Sequence, residues 1–184
     1  MTYQECYLKA KKRLQEAGVE SPAFDAMCLF EKAYGWDRTG LAVHGAEEAP
    51  ENGFWELVSR RAEREPLQYL LGEWGFRGRK YAVGEGVLIP REETELLVDT
   101  AVELLQKAGY GKDSPAVIFD LCAGTGAVGI SLAEEFPEAK VYCVEWYPEA
   151  MGYLQKNLQR AGLPGACAIK GDVLAGPEGL GLPE

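Results

Sequence analysis

Histidine occurs once in the 184 residues, at position 44, and no two cysteines stand in a Cys-x-x-Cys pair. The five thiols, at positions 6, 28, 122, 143 and 167, are odd in number and widely spread. That fits neither a disulfide framework nor a zinc ribbon, so reduced, mostly buried side chains and no metal centre are expected. Long apolar runs are missing too: the longest extend over a few residues, against the roughly 18 of a membrane-spanning helix. Met1 to Lys12 is too polar for a secretory signal, and a cytoplasmic protein without a membrane partner is expected. Positive charge is scarce in the second half. Residues 1–80 carry 12 Lys and Arg against 13 Asp and Glu, whereas residues 81–184 carry 7 against 16, so almost all of the net charge of −10 lies there. Proteins hold a phosphate backbone through Lys and Arg, so direct nucleic-acid binding is not expected of that half, and a cationic or neutral ligand is accepted more easily. What is present is ordinary for a globular chain: 47% hydrophobic and 26% charged residues, enough for one large domain or two small ones.

From Tyr3 to Ala17 the apolar residues Tyr3, Cys6, Tyr7, Ala10, Leu14 and Ala17 recur at three- and four-residue steps, with Gly18 as a stop. Ser21-Pro22 opens a second helix through Leu29 and Phe30 to Tyr34, closed by Gly35. A third is expected from about Pro50 to Arg64, which makes residues 1–72 an all-helical domain. Within it Arg60, Arg61 and Arg64 read as a solvated helix face or as a docking surface for an acidic partner. His44 is expected in an exposed connection, and Trp36, Trp55 and Trp74 in packing roles. Residues 73–90, with Trp74, Phe76, Tyr81 and Val83 among glycines, read as a short β-hairpin linker. A helix follows Pro90 and ends at Gly109. Strand and helix then alternate: strands at 116–120, 140–145 and 166–169, helices at 127–136 and 149–161. This βαβαβ order implies a parallel sheet with right-handed crossovers, an α/β domain over residues 91–184.

The chemistry-bearing stretch is Asp120-Leu-Cys122-Ala123-Gly124-Thr125-Gly126-Ala-Val-Gly129, where the first parallel strand turns into its helix. Glycines allow the tight turn and the close approach of a ligand, and the helix start offers unpaired N–H groups. Gly124-x-Gly126-x-x-Gly129 also reads as a dinucleotide fingerprint, weak in isolation. A carboxylate at Asp120 shifts the reading. It suits the ammonium and sulfonium end of S-adenosylmethionine better than an anionic pyrophosphate, although a nicotinamide cofactor stays open. Glu145, ending the second strand, is placed for both ribose hydroxyls, and Asp172, after the third, for the adenine amine.

The chain resembles the HemK/PrmC-type glutamine-N5 methyltransferases that modify peptide chain release factors. The resemblance rests on Arg60-Arg61-x-x-x-Glu65-Pro66-Leu67-Gln68-Tyr69-Leu70-Leu71-Gly72, Phe76-x-Gly78, Val87-Leu88-Ile89-Pro90-Arg91-x-Glu93-Thr94-Glu95 and the Asp120 to Gly126 loop. It implies a helical domain that recognises a release factor, followed by a Rossmann-like domain that binds S-adenosylmethionine. Carried over by residue, Asp120 and the backbone of Cys122, Ala123, Gly124, Thr125 and Gly126 would hold the methionine part, Glu145 the ribose, and Asp172 with Val173 the adenine. Arg91, Glu93 and Thr94 would lie at the mouth of the active site; the alternative for them is a helix-capping turn. Two positions depart from the family pattern: Glu92 replaces a proline, and Cys122-Ala123 replaces Gly-Thr or Gly-Ser.

No Asn-Pro-Pro-Tyr string, the family's catalytic signature, occurs in the 184 residues. The expectation is therefore the N-terminal portion of a longer enzyme, able to hold the cofactor and unable by itself to transfer the methyl. The outer edge of residues 116–121 is expected to lack a partner strand, open to self-association. Two other readings stand beside this one, a non-catalytic partner- or cofactor-binding module and an adenine-N6 methyltransferase.

Overall fold

The computed structural model describes residues 1–180 and 182, and the chain divides into two compact units, Met1–Gly72 and the part from Glu73 onward. None of the described helices is long and apolar enough to cross a membrane.

The first unit is helical. Helix α1 (Tyr3–Glu16) starts with a capping box, in which Thr2 Oγ1 accepts from the Glu5 N–H and Glu5 Oε2 from the Thr2 N–H. Helix α2 (Pro22–Tyr34) begins on its proline and ends on Gly35 at φ 73°, while the Ser21 side chain makes no capping bond. The stretch expected as a connection folds into α3 (Arg38–His44), because Asp37 accepts the Gly40 N–H at 2.7 Å and caps it. His44 is therefore the last residue of a helix rather than a loop residue. Its ring lies tilted against Trp36 with centroids 4.0 Å apart, and Nδ1 lies 2.7 Å from Glu47 Oε1. Helix α4 (Phe54–Ala62) starts later than Pro50, because Asn52 accepts the Phe54 N–H and holds the preceding residues out of the helix. A last turn, α5 (Leu67–Leu71), ends at Gly72. Leu14, Leu29, Phe30, Phe54 and Val58 are fully buried, and edge-on contacts from Phe30 to Tyr3 and Phe54, each at 5.9 Å, tie α1, α2 and α4 together. Each such side chain contributes roughly 1.5–3 kcal/mol by leaving water.

In the arginine cluster Arg60 and Arg64 stay exposed, as on a solvated face, while Arg61 is half-buried, and each finds a partner inside the unit. Arg61 donates to buried Asp25 at 2.7 Å and to the Glu65 carbonyl, Arg60 binds the Glu65 carboxylate, and Arg64 donates to the Gly18 carbonyl. All three close the unit on itself.

The second unit opens with an antiparallel hairpin, β1 (Glu73–Phe76) and β2 (Arg79–Ala82), followed by α6 (Glu93–Lys107). Then come β3 (Val117–Leu121), α7 (Ala127–Glu135), β4 (Lys140–Glu145), α8 (Pro148–Ala161), β5 (Ala166–Lys170), a 3-10 turn at Val173–Ala175 and α9 (Gly176–Leu180). The three later strands are parallel in the order β3-β4-β5, with Asp120 beside Cys143 and Glu145 beside Lys170. This is the α/β, Rossmann-like arrangement that the alternation predicts. Ile118, Val141 and Cys143 on one face join Val98, Ile130, Leu132, Ala133, Met151 and Leu154 in a single core. The opposite face is open: Val117, Phe119 and Leu121 are exposed, and Phe119 stacks on Tyr142 at 5.6 Å. Among the described residues β3 pairs with β4 alone. Cys122 and Cys167 are exposed, against the expectation of mostly buried thiols, because one lies in the loop after β3 and the other on the open face.

Candidate functional site

The carboxyl ends of β3, β4 and β5 carry the three acids singled out in the sequence. Asp120 lies on the core face of β3, where its Oδ2 accepts the Gly129 N–H at 2.8 Å. This bond requires glycine in the first turns of α7, since a Cβ at position 129 would lie 2.5 Å from Cys143 Sγ and 2.9 Å from Asp120 Oδ2. Burial pushes the Asp120 carboxyl up to about 6; the Gly129 N–H pulls it back in part, and the negative Glu145 adds to the rise.

After β3 the chain turns through Cys122 at φ 64°, a conformation glycine adopts without strain. The Ala123 N–H then donates to the Val144 carbonyl at 2.9 Å, continuing the β3-β4 ladder by one bond. Gly124 and Gly126 sit at φ 56° and 79°, and the Gly126 N–H closes the loop on the Ala123 carbonyl at 2.8 Å. Thr125 between them is buried.

Glu145 is also buried, and three backbone amides hold it: Gly124 on Oε2 at 2.8 Å, Trp146 and Tyr147 on Oε1 at 2.8 and 2.9 Å. A single side chain thus joins the end of β4 to the glycine loop. Asp172 follows β5, and its Oδ1 accepts the Leu174 N–H at 2.9 Å, which forms the 3-10 turn that includes Val173. Its neighbour Gly171 donates to the Glu145 carbonyl at 3.1 Å and fastens β5 to the same end. The structure therefore brings Asp120, Glu145 and the 122–126 loop together, with Asp172 on the adjoining strand end.

Arg91, Glu93 and Thr94 lie at the head of another element. They form the start of α6, where the Thr94 N–H donates to the Arg91 carbonyl at 3.0 Å and Glu92, the N-cap residue, makes no side-chain bond. Glu93 and Glu95 in the first turn suit the helix dipole, and Glu95 accepts the Arg77 N–H at 2.8 Å. Among the described residues no hydrogen bond or ion pair joins Arg91, Glu93 or Thr94 to the glycine loop.

Sequence reasoning missed Asn157. This amide lies on the apolar stripe of α8 with Met151 and Leu154, and a polar side chain on such a stripe needs partners. The carbonyl of Thr125 in the glycine loop is one of them, at 2.9 Å.

Chemically, the site offers carboxylates and backbone N–H groups. Among the described residues Asp120, Glu145 and Asp172 have no cationic partner. A diphosphate would meet like charge there, whereas a ligand carrying an ammonium or sulfonium group finds a counter-charge in a place of low dielectric.

Comparison with known proteins agrees with this division of the chain. Residues 5–72 match the PrmC N-terminal domain family, and residues 94–179 match the methyltransferase small domain family. A release factor glutamine methyltransferase of Bifidobacterium longum is 40% identical over 156 residues, 82% of this chain and 52% of that protein. Those of Deinococcus radiodurans and Moorella thermoacetica are each 35% identical, over 97% and 99% of this chain and 63% and 64% of their own lengths. The chain thus spans from about half to less than two thirds of the curated relatives it matches. The first part of the chain is thus similar to a PrmC N-terminal domain and the second to a methyltransferase small domain, and most of its length is similar to release factor glutamine methyltransferases (HemK/PrmC).

Proposed function

We propose that the second unit binds S-adenosylmethionine across the ends of β3, β4 and β5, and that the chain serves the methylation of a glutamine side-chain amide in a peptide chain release factor. The observation that carries this reading is the half-buried Asp120 and the buried Glu145, held around a glycine loop by backbone amides and, among the described residues, without a cationic partner. The donor set fits a sulfonium cofactor. Asp120 faces the cationic methionine end, the N–H groups of residues 122–126 the carboxylate, Glu145 the ribose, and Asp172 with Val173 the adenine. When bound, S-adenosylmethionine supplies an electrophilic methyl on a positively charged sulfur. The helical unit is assigned to recognition of the release factor, in line with its match to the PrmC N-terminal domain.

An amide nitrogen is a poor nucleophile because its lone pair is delocalised, so transfer depends on groups that aim it at the methyl. Such positioning is worth about 7–11 kcal/mol in well-oriented systems. These 184 residues hold no Asn-Pro-Pro-Tyr, and the proposal gives them cofactor binding without amide positioning. A soluble chain in the cytoplasm, where release factors act, accords with this role.

Isothermal titration with S-adenosylmethionine, with Asp120→Ala as control, tests the reading. Micromolar binding that the variant weakens at least tenfold, about 1.4 kcal/mol, is expected. No binding by the unaltered chain would leave a partner-binding module as the better reading. Tight, salt-sensitive retention of DNA on a filter would favour an adenine methyltransferase instead.

A further inference from the structure

We infer that Asn157 is a positioning residue for the cofactor loop: its buried amide clamps the glycine loop to the end of the hairpin and so sets where the loop's N–H groups point. The inference rests on the cofactor-binding reading above. Asn157 is 2% exposed and bonds at every polar atom. Its Oδ1 accepts the Ala82 N–H at 2.7 Å, and its Nδ2 donates to the Ala82 carbonyl at 3.1 Å and to the Thr125 carbonyl at 2.9 Å.

The surroundings show why this residue and not another does so. Glu149, Tyr153 and Asn157 recur at four-residue steps and form one row along α8. The segment after β2 runs closely along that row, and a Cβ on either of two glycines would meet it. A Cβ at Gly86 would lie 2.6 Å from Glu149 Cβ, and one at Gly84 would lie 2.0 Å from Tyr153 Oη. The third step of the row meets Ala82, and there the Asn157 side chain reaches past the segment to the Thr125 carbonyl of the loop.

Three consecutive loop residues are thereby pinned by three different groups. The Gly124 N–H is held by Glu145, the Thr125 carbonyl by Asn157, and the Gly126 N–H by the Ala123 carbonyl. A ligand that draws on Glu145 competes for the first pin. The second is indifferent to the ligand, so it keeps the loop in place while Glu145 changes partners.

Asn157→Asp tests this sharply. One carboxylate oxygen can still accept from Ala82, but the other then faces two carbonyl oxygens and repels them. Asn157→Ala removes the clamp without the repulsion, and Val98→Ala, in the core on α6, serves as a control for general loss of stability. The readouts are amide hydrogen exchange at residue level and affinity for S-adenosylmethionine. For Asn157→Asp we expect the Gly124 and Gly126 amides to exchange at least tenfold faster than in Val98→Ala at matched thermal stability, with affinity lowered at least tenfold, and smaller changes of the same kind for Asn157→Ala. Loop exchange and affinity that merely follow thermal stability, as in the control, would overturn the inference. If the unaltered chain does not bind the cofactor, the functional reading fails; exchange at Gly124 and Gly126 still decides whether Asn157 sets the loop.

Discussion

Two acids of the helical unit, Asp25 and Glu65, are answered by arginines, and the acids at the strand ends of the second unit by backbone amides. Asp25 meets Arg61 and Glu65 meets Arg60, whereas Asp120 meets the Gly129 N–H and Glu145 the amides of Gly124, Trp146 and Tyr147. Even within the second unit the arginine pairs, Arg77 with Asp99 and Arg79 with Glu134, belong to the hairpin. An arginine cancels a charge; an N–H group holds a carboxylate in place and leaves its charge available. The same residue type is thus structural in one region and receptive to a cationic ligand in the other.

Proton affinities carry the same contrast with opposite signs. The Arg60 guanidinium holds Glu65 below the ordinary carboxylate range, whereas burial lifts Asp120 to about 6. Glu65 contributes stability above its unfolded value that is lost as pH falls through its lowered folded one. Asp120, which takes up its proton more readily folded than unfolded, contributes stability that grows as pH falls from about 6 toward 3.8.

The largest test of this comparison is Arg61→Ala. It strands Asp25 in the helical core, and breaking such a buried pair costs about 3 kcal/mol, read as faster hydrogen exchange in α2 and α4. Equal loss in the second unit would break the proposed division of labour. Next comes Asp120→Asn, which removes charge where none is neutralised. It lowers cofactor affinity at least tenfold, about 1.4 kcal/mol, while the thermal stability of the second unit at pH 7 holds or rises. Between pH 6 and 4, the unaltered second unit is expected to gain stability on acidification relative to Asp120→Asn, while its cofactor affinity falls. Parallel melting curves across that window would show no divergence if Asp120 kept an ordinary proton affinity. The smallest effect is that of Cys122→Gly, which relieves a left-handed φ of 64° and gains about 1 kcal/mol with cofactor binding kept, as thermal unfolding and titration would report.

Elements whose signal is local were legible in the sequence. The strand Lys140–Glu145 and the proline and glycine bounds of α2 follow from periodicity and breakers alone. Helix α3 was not legible, because Gly40 and Gly45 read as loop while the cap that makes the helix is a single side chain, Asp37. The fate of the arginine cluster depended on Asp25, 36 residues away from Arg61, which no local pattern can couple. At the site, the acids and glycines stood out by type and spacing, but the amides holding them did not, since every residue but proline carries an N–H. Asn157 was visible only as a polar residue on an apolar stripe, and its partners are 32 and 75 residues distant.

The open side of β3 has a colloidal consequence. Val117–Leu121 contains neither lysine nor proline, the residues that usually blunt a strand edge, and three of its side chains lie exposed beside that edge. Where that edge is uncovered, filament-like stacking is opposed by Asp120 within the strand and by long-range repulsion between molecules of net charge −10. Such repulsion fades beyond about 10 Å at 0.1 M salt. Shelf life in dilute buffer and turbidity in concentrated salt would therefore be two views of one short strand.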